Sequence, residues 1–160
     1  MYAEQLTHYE RADPPDEGPS DYQAPDGLFV LLLVDGQAVG YGGYRQHDAT
    51  TGEIKRMYVR PPYRGRGYGR RILQRLEGHG RARGANALIL ETGVRNDAAI
   101  SLYHSAGYTA VPTYVSNRDR RINRAFAKAL LPQVELSQPT YARAVTPPQL
   151  REPCVETPRR

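Results

Sequence analysis

The 160-residue chain contains 39% hydrophobic residues, which is enough for one domain with its own core. Its 22 Lys and Arg residues outnumber the 17 Asp and Glu residues, and the formal net charge of +5 suits a polyphosphate ligand, nucleic acid or a membrane surface. Cys154 is the single cysteine, which excludes an intrachain disulfide and favours the cytoplasm. The longest apolar run, residues 28–34, is too short for a membrane span.

Proline and apolar patterning divide the chain into three segments. Residues 1–27 begin with a weak helical pattern and continue as an acidic, proline-containing loop. Residues 28–131 carry the regular apolar periodicity of a folded domain. Residues 132–160 are punctuated by prolines and have no apolar periodicity, so we expect a disordered tail.

The first half of the predicted domain is typical of an antiparallel sheet. Residues 28–34 form an apolar strand, Asp35-Gly36 is a hairpin turn signal, and residues 37–44 return as the partner strand. A further strand is predicted at residues 53–59. Strict alternation along it would place four side chains on one face: Glu53, Lys55, Met57 and Val59.

The second half alternates helices with strands. A helix is predicted up to about residue 83, a strand at 87–91, a second helix at 96–107, and closing strands at 108–111 and 123–130. The apolar face of the first helix consists of Ile72, Leu73 and Leu76. A strand, helix and strand of this length form a crossover between parallel strands. The sequence therefore predicts an α/β fold with a mixed sheet flanked by helices.

A glycine-rich loop with several arginines joins the third predicted strand to the first helix. It reads Arg64-Gly65-Arg66-Gly67-Tyr68-Gly69-Arg70. The first amides of a helix lack intrahelical partners, and glycines let an anion approach them closely. A P-loop is excluded because Arg70-Arg71 follows the last glycine, and the glycine spacing excludes a dinucleotide fingerprint.

Three patterns in this chain resemble motifs of the GCN5-related N-acetyltransferase (GNAT) superfamily. Arg64-x-x-Gly67-x-Gly69 resembles the family's acetyl-CoA diphosphate loop, and Glu53 stands eleven residues before Arg64, where a general-base glutamate often lies. Asn96-x-x-Ala99-x-x-x-Tyr103-x-x-x-Gly107-Tyr108 resembles its second cofactor motif. The resemblance covers residues 28–130 and implies the GNAT fold. The family usually has a strand and two helices before this region, and because only 27 residues precede residue 28 here, we expect that part to be shortened.

The resemblance also implies a cofactor site for acetyl-CoA, with no metal. Loop residues expected to contact the cofactor are Arg64, Gly65, Arg66, Gly67, Tyr68, Gly69 and Arg70. Asn96 is expected to contact the pantetheine arm, although an asparagine at this position also suits a helix N-cap. The family's oxyanion donor is a backbone amide of the strand that carries the glutamate, and it maps to Met57, Tyr58 and Val59.

Two side chains are candidates for proton transfer. A primary amine with a pKa of about 10.4 must lose a proton before it attacks, and Glu53 is the candidate base. The alternative is an exposed carboxylate paired with an arginine. Tyr103 is the candidate proton donor to the departing thiolate, and the alternative is a core aromatic residue.

These expectations together predict an N-acetyltransferase that acts on a primary amine of a small molecule or peptide by direct attack in a ternary complex. Tyr41, Tyr44 and Tyr114 are guesses for the acceptor pocket, from their places near strand ends. The first alternative function is a non-catalytic acyl-CoA-binding sensor. The second is a nucleic-acid binder built on the arginines, without a recognisable RNA-binding motif. We expect neither nucleic acid nor a membrane as partner, and a homodimer stays open.

Overall fold

The computed structural model of the protein describes residues 18–115 and 121–130. The predicted N-terminal helical pattern and the predicted proline-rich tail at 132–160 lie outside these ranges. Six strands are described: β1 (Gly27–Val34), β2 (Gln37–Gln46), β3 (Thr51–Val59), β4 (Ala87–Gly93), β5 (Thr109–Val111) and β6 (Asn123–Ala129). Two α-helices are described, α1 (Tyr68–Ala82) and α2 (Asp97–Ser105), together with 3₁₀ turns at Pro19–Tyr22 and Pro61–Tyr63. No helix in this part of the chain is long and apolar enough to cross a membrane.

The six strands form one mixed sheet in the order β1-β2-β3-β4-β6-β5. β3 and β4 pair in parallel, because α1 carries the chain back between them, whereas the other neighbours are antiparallel. The predicted α/β mixed sheet is therefore confirmed. The predicted strands and helices are present, with ends that differ from the prediction by two residues or fewer.

Among the described residues, a buried hydrophobic cluster joins the helices to the sheet. α1 contributes the predicted apolar face, with Leu73 and Leu76 fully buried, and α2 contributes Tyr103. The sheet contributes, among others, Leu88 and Leu90 of β4. Burial of such side chains stabilises the fold by roughly 1.5–3 kcal/mol each, so this cluster fixes both helices against the sheet.

β3 contains a bulge that the alternation of its sequence did not predict. The pairing with β2 moves from Gly43↔Lys55 to Tyr41↔Tyr58, so β3 has one residue more than its partner over this interval. Arg56 has a φ of 57°, in the left-handed region. An extra residue reverses the alternation of the side chains that follow it.

The bulge moves Met57 to the side of the sheet covered by α1. A Cβ on Gly42 would lie 2.9 Å from Met57 Sδ and 2.8 Å from Ile72 Cγ2, and Val59 similarly lies beside Gly40 and Ile72. The prediction that Met57 and Val59 share a face with Glu53 and Lys55 is therefore wrong. Their side chains pack against the core, as does Ile54.

Candidate active site

The parallel pairing of β3 and β4 is short. It consists of three residue pairs, Thr51↔Ala87, Gly52↔Leu88 and Glu53↔Ile89. Beyond these pairs the two strands no longer pair in the described chain, since β3 continues along β2 and β4 continues along β6. Residues 54–59 and residues 90–93 are therefore not paired with each other, and we call this interruption of the pairing the opening; Glu53 lies where it begins.

The glycine-rich loop presents unpaired amides at the start of α1. Gly65 and Gly67 have φ values of 74° and 76°, which glycine adopts without strain. A Cβ on either residue would meet no atom within 4 Å, so the space beside the backbone is open. Arg71 N donates to Gly67 O at 3.1 Å, whereas the amides of residues 68–70 have no acceptor among the described residues. The arrangement provides a site for an anion.

Gly69 and Arg70 serve the packing of α1 against α2. A Cβ on Gly69 would lie 3.2 Å from Leu102 Cδ2, so glycine allows the helices to approach closely here. Arg70 Nη2 donates to Ser105 Oγ at 2.6 Å. These contacts place the anion site beside the helix that carries Tyr103.

Two of the predicted cofactor arginines lie over tyrosine rings of the loop region. Arg64 Nε donates to Val59 O at 2.9 Å, and the Arg64 guanidinium lies 5.6 Å from the centre of the Tyr58 ring. Arg66 lies 5.6 Å from the centre of the Tyr63 ring. The hydrogen bond to Val59 O connects the loop to the last residue of β3. The Arg64 side chain therefore positions the loop as well as adding positive charge.

Tyr103 is 4% exposed. Its ring lies 5.9 Å from the Tyr108 ring and 6.1 Å from the Phe126 ring, so the core-aromatic alternative describes its packing correctly. Burial raises the pKa of Tyr103 well above its usual value. Its hydroxyl therefore stays protonated at neutral pH, as a proton donor requires, although the donor role itself stays a prediction.

Asn96 caps α2. Its Oδ1 accepts a hydrogen bond from Ala99 N at 3.3 Å, and its Nδ2 donates to Thr92 Oγ1 at 3.4 Å. The N-cap interpretation is confirmed. The contact with a pantetheine arm stays a prediction.

Glu53 is fully buried, so the alternative that it is an exposed carboxylate is wrong. The arginine partner that this alternative also predicted is present. Arg45 Nε and Nη2 both contact Glu53 Oε2, at 2.8 and 2.6 Å. Tyr114 donates its hydroxyl to Oε1 at 2.7 Å, and Lys55 Nζ lies 3.4 Å from the same oxygen. Both carboxylate oxygens are thus held by side chains from three parts of the fold.

Sequence reasoning missed Arg45 and Glu91. Arg45 is paired with Glu53 in the β2–β3 register, and opposite charges at paired strand positions were the available signal. Glu91 Oε1 accepts hydrogen bonds from Tyr114 N at 3.3 Å and Val115 N at 3.4 Å, and so holds the loop after β5. No local pattern indicates a contact over that distance in sequence.

Of the three tyrosines guessed for the acceptor pocket, Tyr114 alone contacts Glu53. Tyr44 is fully buried and donates to Gln46 Oε1 at 2.8 Å, within the core. The Tyr41 ring stacks on the Phe29 ring and lies tilted against the Tyr58 ring, with ring centres 5.6 and 5.3 Å away. Among the described residues, no three His, Cys, Asp or Glu side chains are arranged as metal ligands.

Comparison with known proteins decides the family. The sequence model of the Acetyltransferase (GNAT) family matches residues 1–108, more than half of the chain. The chain belongs to the GNAT family. The resemblance inferred from its three motifs is confirmed, and so is the GNAT acyl-CoA N-acyltransferase fold.

Individual GNAT relatives cover different shares of the chain. An IAA acetyltransferase of Azospirillum brasilense is 42% identical over 85 residues, which are 52% of this chain and 56% of that protein. The chain thus spans little more than half the length of this curated relative. A Klebsiella pneumoniae protein assigned to the acyl-CoA N-acyltransferases shares the fold with a TM-score of 0.66 and 28% identity, covering 81% of this chain and 86% of its own.

A further GNAT structure was solved with the cofactor. The PaiA N-acetyltransferase of Thermoplasma acidophilum, in complex with coenzyme A, has a TM-score of 0.57 and 21% identity, and covers 66% of this chain and 62% of its own. At this identity the likeness concerns the fold. The GNAT domain described here thus shares its architecture with a protein that binds coenzyme A.

Proposed function

We propose that this GNAT domain transfers the acetyl group of acetyl-CoA to a primary amine of a small molecule or peptide. The observation that supports this proposal is the opening between β3 and β4, with unpaired helix amides close by. An extended pantetheine arm suits such an opening, because the facing strand edges offer it backbone hydrogen bonds. Direct attack in a ternary complex follows if the acceptor reaches the thioester from the side of Glu53.

The residues present fit acetyl-CoA at both ends of the opening. Backbone amides at residues 68–70 suit the diphosphate, and Gly65 and Gly67 leave room for it. Arg64 and Arg66 add positive charge, which phosphate oxygens favour. Residues 57–59 provide backbone for the arm and the thioester carbonyl, and Asn96 lies at the start of α2.

Two side chains would manage the protons of the transfer. Glu53 is the buried carboxylate at the start of the opening and would finally hold the proton that the amine loses. Tyr103, whose phenol stays protonated, would supply a proton or a hydrogen bond to the thiolate that leaves. Acetyl-CoA supplies the activated acetyl group.

A turnover assay tests the proposal. Purified protein is mixed with acetyl-CoA and a panel of primary amines, and released coenzyme A is detected with a thiol reagent. We expect turnover on at least one amine, with Glu53→Gln and Tyr103→Phe each slower by about 10²–10⁴-fold. Cofactor binding with no turnover on any amine would contradict the proposal.

The non-catalytic acyl-CoA sensor remains the second candidate, since one observation favours it. Both oxygens of Glu53 are held by neighbouring side chains, as expected for a structural ion pair. A sensor would bind acetyl-CoA without releasing coenzyme A. A nucleic-acid binder would instead lose affinity steeply as salt rises and would not be displaced by coenzyme A.

A further inference from the structure

We infer that the hydroxyl of Tyr114 carries the proton of the acceptor amine to Glu53, so that the base acts through a tyrosine relay. This inference rests on the proposed acetyltransferase function and adds a catalytic residue to it. Its starting point is the 2.7 Å hydrogen bond from the Tyr114 hydroxyl to Glu53 Oε1.

Direct contact between an amine and Glu53 is obstructed. The Glu53 side chain is fully buried, and Oε2 already accepts a hydrogen bond from Arg45 Nε and forms an ion pair with Arg45 Nη2 at 2.6 Å. Oε1 is the remaining oxygen, and the Tyr114 hydroxyl and the Lys55 ammonium lie against it. A proton that reaches this carboxylate therefore passes through one of its neighbours.

Among the three neighbours, Tyr114 alone has the chemistry of a relay. A guanidinium and an ammonium carry donors and no acceptor lone pair, which excludes Arg45 and Lys55 as proton acceptors. A phenol hydroxyl donates one hydrogen bond while it keeps oxygen lone pairs that accept another. Tyr114 is also partly exposed, unlike Glu53, so it links the buried carboxylate to the accessible side of the sheet.

The position of Tyr114 is fixed by contacts outside Glu53. Glu91 Oε1 accepts hydrogen bonds from Tyr114 N and Val115 N, at 3.3 and 3.4 Å. The His47 ring packs edge-on against the Tyr114 ring, with centres 5.6 Å apart. β4 and the loop after β2 thus hold the hydroxyl against the carboxylate before any acceptor arrives, and Glu91 is a positioning residue for the relay.

The proton balance of the relay is simple. The ammonium proton of the acceptor passes to the Tyr114 oxygen while the Tyr114 proton passes to Glu53 Oε1. The freed amine nitrogen bonds to the acetyl carbon, the carbon–sulfur bond breaks, and the sulfur receives a proton from Tyr103. The nitrogen, now bonded to the acetyl carbon, loses its second proton, which passes through solvent and restores Tyr103. Tyr114 is unchanged, and Glu53 ends protonated until it releases its proton to water.

The test compares Tyr114→Phe with wild type on two small amines at pH 7. Ethylamine is mostly ammonium at this pH, whereas trifluoroethylamine is mostly neutral and needs no base before it attacks. A relay predicts that Tyr114→Phe lowers kcat/KM for ethylamine by about 10²-fold or more, and for trifluoroethylamine by less than about tenfold. Tyr44→Phe is the matched control, since it removes a buried tyrosine hydrogen bond of 2.8 Å from the same sheet, and we expect less than a twofold loss.

Each result has a distinct meaning. Equal losses on both amines would show that Tyr114 is only structural and would overturn the relay, while wild-type turnover would leave the proposed function standing. Absence of wild-type turnover on both amines and on the wider panel would overturn both. As a second measurement, Glu91→Gln should lower turnover of ethylamine more than turnover of trifluoroethylamine, because it loosens the loop without removing the hydroxyl.

Discussion

Arg70 and Ser105 are 35 residues apart in sequence, yet Arg70 Nη2 donates to Ser105 Oγ at 2.6 Å. The contact joins the first turn of α1, which holds the anion site, to the last turn of α2, which carries Tyr103. A direct hydrogen bond therefore connects the two parts of the proposed cofactor site, the start of α1 and the helix α2. Arg70 therefore contributes to the fold, and its contact with the cofactor stays a prediction.

Removing the Ser105 hydroxyl should loosen this connection. We expect Ser105→Ala to lower the free energy of unfolding by about 0.5–1.5 kcal/mol, measured by urea denaturation. Ser101→Ala, also at an exposed serine of α2, is the matched control and should have little effect. If Arg70→Met and Ser105→Ala prove fully additive in a double-mutant cycle, the pair contributes nothing and the expectation is wrong.

Substitution by alanine should have opposite effects on stability at Gly67, the N-cap of α1, and at Gly78, within α1. Gly67 has a φ of 76°, so Gly67→Ala should cost about 1–2 kcal/mol and also weaken the binding of coenzyme A. Gly78 lies in the helix with open space around its Cβ position, so Gly78→Ala should stabilise by about 0.5–1 kcal/mol. Thermal unfolding and calorimetric titration measure both effects. Unchanged coenzyme A affinity in Gly67→Ala would argue against the loop as the diphosphate site.

Tyr103→Phe should separate chemistry from binding. Burial raises the pKa of Tyr103, so the wild-type phenol stays protonated throughout the neutral range. We expect the variant to lose about 10²–10⁴-fold in kcat while its Kd for coenzyme A changes by less than about threefold. The alkaline limb of the wild-type pH profile should not reflect Tyr103. An unchanged kcat would leave Tyr103 as a core aromatic alone.

His79 should make the fold sensitive to mild acid. Burial, followed by the nearby charges of Arg75 and Arg83, lowers the pKa of His79 below its usual value of 6.5. Between pH 6.5 and the lower native pKa, His79 therefore binds a proton in the unfolded chain but not in the native protein. The free energy of unfolding should fall as the pH drops through this window. Above that window the residue has no such effect.

The substitution His79→Phe tests this pH dependence. Phenylalanine keeps an aromatic ring beside Tyr44, whose ring centre is 4.9 Å from that of His79, and it cannot titrate. Urea unfolding at pH 7.5 and pH 5.5 should show a smaller loss of stability in the variant than in wild type. Identical losses in the two proteins would assign the acid sensitivity to other groups.

The loop and the crossover were predictable because their signals are local. Gly65 and Gly67 adopt the positive φ values that the pattern of glycines indicates, and the helix begins directly after them. A helix of this length returns the chain so that the second strand runs parallel to the first, and β3 and β4 pair in this way. Asn96 likewise caps α2 as its position indicates.

The bulge and the Glu53 network could not be predicted in the same way. An extra residue in β3 is visible only against the register of β2, and alternation alone placed Met57 on the wrong face. The contact between Tyr114 and Glu53 spans 61 residues and depends on how the loop after β5 folds back. The predicted phosphate contact of Gly69 stays a prediction, and the sequence did not indicate its close approach to Leu102.

The most direct test of the central claim is a calorimetric titration of the wild-type chain with coenzyme A and, separately, with pantetheine, which lacks the diphosphate. The claim is that backbone amides at the start of α1 hold a diphosphate beside the opening in the sheet. It predicts that coenzyme A binds with measurable heat and that pantetheine binds at least about 100-fold more weakly. Equal affinities, or no heat with coenzyme A, would contradict it.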